Sequence, residues 1–223
     1  MVLTEQPLAN LVALTLNHGV YETKRVRTLR EARVELRSWR PHLLVVDIEL
    51  ERRSALDLIG QRGGRRRLPT IALSARGDIK TKLEAFERGA DDIVVVPFVP
   101  EELVARVLAV MRRTYGDAIP FIPVIKVAGL EIDLLNQQVR AGGLRPHLTA
   151  MEQTLLYFLA SNPGQILGRE EILDALWGTD HVVESNVVDR HVRNLRLKLN
   201  DHWRHPRYIG TVPGKGYRFV GAA

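Results

Sequence analysis

The chain has 223 residues, 45% of them hydrophobic, and a formal net charge of +6. That length and apolar fraction suit one large or two ordinary packed domains, and the positive charge favours an anionic partner, either nucleic acid or an acidic membrane surface. The absence of cysteine excludes disulfides and thiolate metal sites, and the seven histidines are scattered without metal-ligand spacing.

No apolar run reaches about 18 residues, and Met1 to Leu16 carries Glu5, Gln6 and Asn10 with no basic start or cleavage pattern. A cytoplasmic protein with neither a transmembrane helix nor a signal peptide is expected, and no membrane partner. From the N-terminus, amphipathic stretches at Leu8 to Asn17, Thr28 to Trp39, Ser54 to Gln61, Asp78 to Arg88 and Pro100 to Arg113 alternate with continuous apolar runs. The runs Leu43–Val46, Thr70–Leu73 and Ile93–Val96 have the character of parallel strands buried on both faces. Together they give the βαβ rhythm of a doubly wound sheet, whose ligands bind beyond the carboxyl ends of the strands. Here that means Asp47, Ser74 and the residues after Val96. The Arg62–Arg67 segment reads as a basic loop.

Between Tyr115 and Pro123 the pattern breaks at Gly116, Pro120 and Pro123, which sets a first domain at 1–113, a linker at 114–122 and a second domain at 123–223. Alternation from Ile125 to Val139 predicts a small antiparallel sheet with a turn near Asn136. Thr149 and Glu152 have the spacing of a capping box and open a helix. Further on, Val188, Val192, Leu195 and Leu199 form one apolar stripe at a period of about 3.6 residues, while Arg190, His191, Arg193, Asn194, Arg196 and Lys198 occupy the rest of the surface. A hairpin follows, with Gly214 and Gly216 at its turn and Arg207, Lys215 and Arg218 around it. Such a helix fits the major groove of DNA, and a basic hairpin beside it reaches phosphates.

The order of these elements resembles the winged helix-turn-helix effector domain of OmpR/PhoB-type response regulators. The resemblance is carried by Leu148, Thr149, Glu152, Leu155, Leu156, Pro163, Gly164, Arg169, Glu170, Glu171, Ile172, Leu176, Trp177 and Gly178, then by Val188, Asp189, His191, Val192, Arg193, Leu195, Arg196 and Leu199, and last by Thr211, Val212, Gly214, Gly216, Tyr217 and Arg218. It implies a recognition helix starting near Ser185 or Asn186, either of which can cap it, with Arg190, His191, Arg193, Asn194, Arg196 and Lys198 toward double-stranded DNA. Thr211, Lys215 and Tyr217 match wing positions that approach the backbone, and Asp189 is expected to orient a neighbouring arginine. Pro213 stands where the family often has arginine, which removes one minor-groove contact. The loop from Gly178 to Glu184 matches a segment that in this family can meet RNA polymerase.

Residues 1–113 are similar to the receiver domain of the same family, in Pro41 to Asp47, in Gly89 to Asp92, and at Ser74, Pro97 and Phe98. The fold class implied is α/β, a flavodoxin-like doubly wound parallel-sheet receiver followed by an α+β winged helix-turn-helix domain. In receivers an aspartate at the position of Asp47 attacks a phosphoryl donor, supplied by a sensor histidine kinase, with Mg²⁺ held by further acids and a lysine neutralising the developing charge. A hydroxyl at Ser74 then bonds the phosphoryl oxygen. Here Thr4 and Glu5 stand at the acidic pair, or on the alternative alignment Gln6 stands in place of an acid, leaving Glu5 and Asp47 as the metal ligands; Val96 replaces the lysine and Ile93 the switch aromatic. Each lost electrostatic partner costs on the order of 3 kcal/mol in a transition state, roughly a hundredfold in rate.

The family's dimer face matches better. Lys82 and Glu102 match one cross-subunit pair, Asp92 and Arg106 another, and Leu83, Phe86 and Ala105 the apolar centre. The expectation is a homodimeric, sequence-specific transcription regulator with weak or no dependence on aspartyl phosphorylation; the alternative is a conventional kinase-driven regulator phosphorylated on Asp47. An enzyme transferring phosphate through Asp47 would lack a Gly-rich phosphate loop, and a nonspecific nucleoid or RNA-binding protein would bind without sequence preference.

Overall fold

The computed structural model describes residues 1–17, 21–51, 54–60, 62–63, 66–116, 124–133, 136–178 and 186–221. In the first half, β1 (Leu44–Asp47), β4 (Thr70–Ser74) and β5 (Asp92–Val95) form a parallel sheet in the order β1-β4-β5. Val2 makes parallel bridges to Val46 and to Val26, which extends the sheet beyond β1. Strand alternation sends Val45, Ile71, Leu73 and Val94 to one face, where they join a core with α1 (Gln6–Leu16) and α4 (Pro100–Tyr115). Leu44, Val46, Ala72 and Ile93 go to the other face, against α2 (Leu29–Ser38) and a 3-10 helix at Ser54–Leu58. Both faces are therefore covered, as the unbroken apolar runs require.

Local chemistry sets the helix ends. The Thr28 side chain accepts from the Glu31 amide to start α2, and Asp78 accepts from the Thr81 amide at 2.9 Å to start α3 (Ile79–Glu87). Pro100 opens α4, where a missing N–H costs nothing. The helical pattern at Ser54 to Gln61 yields only the five-residue 3-10 helix, because the chain turns at Gly60 with φ +77. The expected basic loop is a short antiparallel pair, β2 (Arg62–Gly63) with β3 (Arg66–Arg67).

In the second half β6 (Val124–Val127), β7 (Leu130–Asp133) and β8 (Gln138–Ala141) form an antiparallel sheet in that order, and Asn136 bonds back to Asp133 in the β7–β8 connection. Helix α5 (Ala150–Ala160) begins with the capping box read from the sequence: Glu152 Oε2 accepts from the Thr149 amide at 2.8 Å, and Thr149 Oγ1 from the Glu152 amide at 3.3 Å. Every residue from Glu152 to Ala160 is buried, since α6 (Arg169–Trp177), α7 (Val187–Leu199) and the hairpin cover it on one side and α1 on another. Asn10 of α1 donates to Asn162 Oδ1 at 2.8 Å across that contact. The hairpin is β9 (Ile209–Val212) with β10 (Gly216–Phe219). Gly216, expected at the turn, is the first residue of β10 and crosses Leu167, where a Cβ would lie 2.0 Å from the Leu167 carbonyl oxygen. Among the described residues no helix is long and apolar enough to cross a membrane. Of the expected linker at 114–122, Thr114 and Tyr115 belong to α4, which continues the helical pattern two residues further, and residues 117 onward lie outside the described residues.

Candidate functional site

Parallel register brings Asp47 and Ser74 together at the carboxyl ends of adjacent strands. Asp47 is half-buried, and its Oδ1 accepts from the Glu49 amide at 2.9 Å. Burial raises its pKa; the Glu49 amide opposes that rise, while the negative charges of Glu49 and Glu5 add to it. Among the described residues, the two charged side chains acting on Asp47 are thus both acids. Val96, the next residue after β5, is apolar and half-buried at the same end of the sheet. Glu49, which the sequence did not single out, reaches Ser74: its Oε1 lies 3.1 Å from Ser74 Oγ, and its Oε2 accepts from the Ala75 amide at 3.2 Å. Glu5 stands exposed at the start of α1. Glu49 is thus turned onto Ser74, and no group of three metal-ligating side chains occurs among the described residues.

On the neighbouring face, α3 exposes Ile79, Leu83 and Phe86, at 70%, 54% and 45%. Their i, i+4, i+7 spacing makes one apolar stripe to which Ile79 is an addition. Arg106 of α4 donates to both oxygens of Asp92 at 3.1 Å and to Glu102 at 2.9 Å, all within one chain. Ala105 is exposed on α4, and Lys82 is half-buried on α3.

Helix α7 buries Val188, Val192, Leu195 and Leu199 and exposes Arg190, Arg193, Asn194 and Leu197. The exposed four share one face at i, i+3, i+4 and i+7. Leu197 is 71% exposed and was not singled out, although it falls off the apolar stripe that the sequence displays. Other members of the basic set hold the domain together. Arg196 donates to the Ile209 carbonyl at 2.6 Å and to Thr211 Oγ1 at 2.9 Å, tying the helix to the hairpin. Lys198 pairs at 2.6 Å with Glu152, which is 3% exposed. His191 packs against Trp177 with centroids 5.6 Å apart, and burial lowers its pKa. Asp189 accepts from Arg169 Nε at 2.8 Å and from the Tyr217 hydroxyl at 2.7 Å, so the arginine it orients comes from α6. Tyr217 is buried, and desolvation pushes its pKa up to about 12.

In the hairpin Thr211, Lys215 and Arg218 are exposed. Trp203, 61% exposed with the Arg204 guanidinium 5.0 Å from its ring centroid, lies just past α7 and was also missed. Asn186 precedes α7 but its side chain makes no cap bond, since φ −97 and ψ 3 are not the extended geometry that a capping side chain needs. Ser185 and the 179–184 stretch linked with RNA polymerase lie outside the described residues.

Two family models match the chain: "Response regulator receiver domain" over residues 2–108 and "Transcriptional regulatory protein, C terminal" over residues 143–219. The chain is 34% identical over 218 residues to the phosphate regulon transcriptional regulatory protein PhoB of Klebsiella pneumoniae, covering 96% of this chain and 94% of that protein. It is 37% identical over 179 residues to the transcriptional regulatory protein KdpE of Mycobacterium tuberculosis strain H37Rv, covering 80% and 79%. Among solved structures, response regulator DrrB of Thermotoga maritima aligns at 30% identity with a TM-score of 0.45, over 99% of this chain and 97% of that one.

Proposed function

This chain belongs to the OmpR/PhoB-type response regulators, a family of DNA-binding transcription regulators, and we propose that it binds tandem DNA half-sites as a homodimer without requiring aspartyl phosphorylation. The observation that carries the DNA reading is the outward face of α7, where Arg190, Arg193 and Asn194 are unobstructed and Lys215 stands exposed in the hairpin. Arginine can fork onto guanine O6 and N7, asparagine can pair with adenine, and Lys215 and Thr211 grip phosphate. His191, Arg196, Lys198 and Tyr217 act by holding the helix and wing in register. RNA polymerase is the partner through which such a regulator would act on transcription.

Dimerisation is assigned to the α3–α4 face. Exposed ion pairs contribute about 0 to 1 kcal/mol each, so Lys82, Glu102, Asp92 and Arg106 set orientation while Ile79, Leu83, Phe86 and Ala105 supply the buried area. Independence from phosphate is supported by Val96, which supplies no cation where the family has lysine, and by the acids around Asp47: among the described residues the charges acting on it are those of Glu5 and Glu49. A kinase-driven regulator remains the second reading, favoured by Asp47 and Ser74 meeting at the strand ends.

The two readings separate when intact mass and solution molar mass are measured before and after incubation with a small phosphoryl donor and Mg²⁺. The expected outcome is no adduct and a dimer present from the start. A phosphoryl adduct accompanied by a monomer-to-dimer shift would establish the kinase-driven reading instead.

A further inference from the structure

We propose that the Glu49 carboxylate stands in for a phosphoryl group, occupying the two donors that a modified Asp47 would otherwise engage and holding the receiver in its dimer-competent state. This rests on the phosphate-independent reading above and names the residue responsible for it. The end of β4 presents two hydrogen-bond donors to the space above Asp47, the Ser74 hydroxyl and the Ala75 amide. Each is met by one oxygen of Glu49, at 3.1 Å and 3.2 Å, the hydroxyl being shared with the Arg76 carbonyl, also at 3.1 Å. Two donors answered by the two oxygens of one anion is how an oxyanion is held, and bonds to a charged acceptor are about twice as strong as neutral ones.

The anion is positioned rather than loose. Its own amide is fixed on Asp47 Oδ1 at 2.9 Å, and Arg76 Nε lies 3.7 Å from its Oε1. A carboxylate carries one negative charge where a phosphoryl group carries about 1.5 to 2, so it needs less neutralisation, in keeping with valine at position 96.

The same contact leads directly to the proposed dimer face. Ser74 Oγ accepts from the Arg76 amide at 2.9 Å, and Asp78, two residues on, caps α3 through Thr81. The loop Glu49 grips is therefore the one that sets where α3 begins, and α3 carries Ile79, Leu83 and Phe86 on its exposed side. Losing Glu49 frees that loop and with it the placement of the apolar stripe.

The test is sedimentation of the full-length wild-type, Glu49→Gln, Glu49→Ala, Ser74→Ala and Glu49→Ala/Ser74→Ala proteins, never exposed to a phosphoryl donor. Glu49→Gln keeps shape and volume but offers only one acceptor oxygen, so it guards against misfolding of the alanine variant, and a thermal midpoint checks both. The expected result is a wild-type dimer whose dissociation constant rises about tenfold or more in both Glu49 variants, with the effect of Ser74→Ala smaller once Glu49 is gone, since its bonds to Arg76 persist without Glu49. A wild-type dimer with unchanged dissociation constants in the folded Glu49 variants, or strictly additive effects of the two substitutions, overturns this assignment and leaves the phosphate-independent reading intact. A wild-type protein that is monomeric without phosphate overturns both.

Discussion

Arg193→Ala is expected to weaken binding to the preferred DNA sequence by about 1 to 3 kcal/mol and to relax discrimination at one base pair, with the thermal midpoint unchanged. The side chain projects from the exposed face of α7, and substituting it disturbs none of the hydrogen bonds that hold the helix to the hairpin. Its effect should therefore appear in binding alone, measured by titration of labelled duplexes at fixed salt. Arg196→Ala is the informative contrast, because it removes the bonds to Ile209 and Thr211 and so acts on the wing first. Unchanged affinity and unchanged base preference for Arg193→Ala would remove α7 from the role of reading helix.

The largest loss of stability is expected at Asp201. Its carboxylate is 6% exposed and accepts from three consecutive backbone amides, Arg207 at 2.6 Å, Tyr208 at 3.3 Å and Ile209 at 2.8 Å, fixing the entry into β9. Alanine leaves those donors without an acceptor in a largely dry site, a cost of about 3 kcal/mol. For a domain of this size that lowers the thermal midpoint by about 12 to 24 °C. Calorimetry of Asp201→Ala checks this, and a shift of only a few degrees would mean that solvent replaces the carboxylate. Since β9 and β10 carry Thr211 and Lys215, DNA affinity should fall with the wing.

How far the sequence revealed this molecule depended on whether a feature is local. The run Leu43–Val46 and the Thr149/Glu152 box are short-range signals, and the strand at Leu44–Asp47 and the capped start of α5 are both present. The apolar stripe of α7 was legible for the same reason. What the sequence could not disclose was which basic residues face inward: Arg196 and Lys198 sit at polar positions of the helical period, but their partners, Ile209 and Glu152, come from elsewhere in the chain. Periodicity separates apolar from polar surface, and it does not say which polar surface another element will cover. The Glu49–Ser74 contact spans 25 residues and belongs to no motif, so only the parallel register of β1 and β4 makes it visible. Leu197 is the counterexample, since its exposure could have been suspected from its place off the stripe.

The most direct test of the whole reading is selection of bound sequences from a random duplex library with protein never exposed to a phosphoryl donor, followed by the stoichiometry of the complex. The expected result is enrichment of a direct repeat with half-sites about one helical turn, roughly 10 base pairs, apart, occupied by two chains. Binding with no enriched sequence, or enrichment that emerges only after phosphorylation of Asp47, would contradict it.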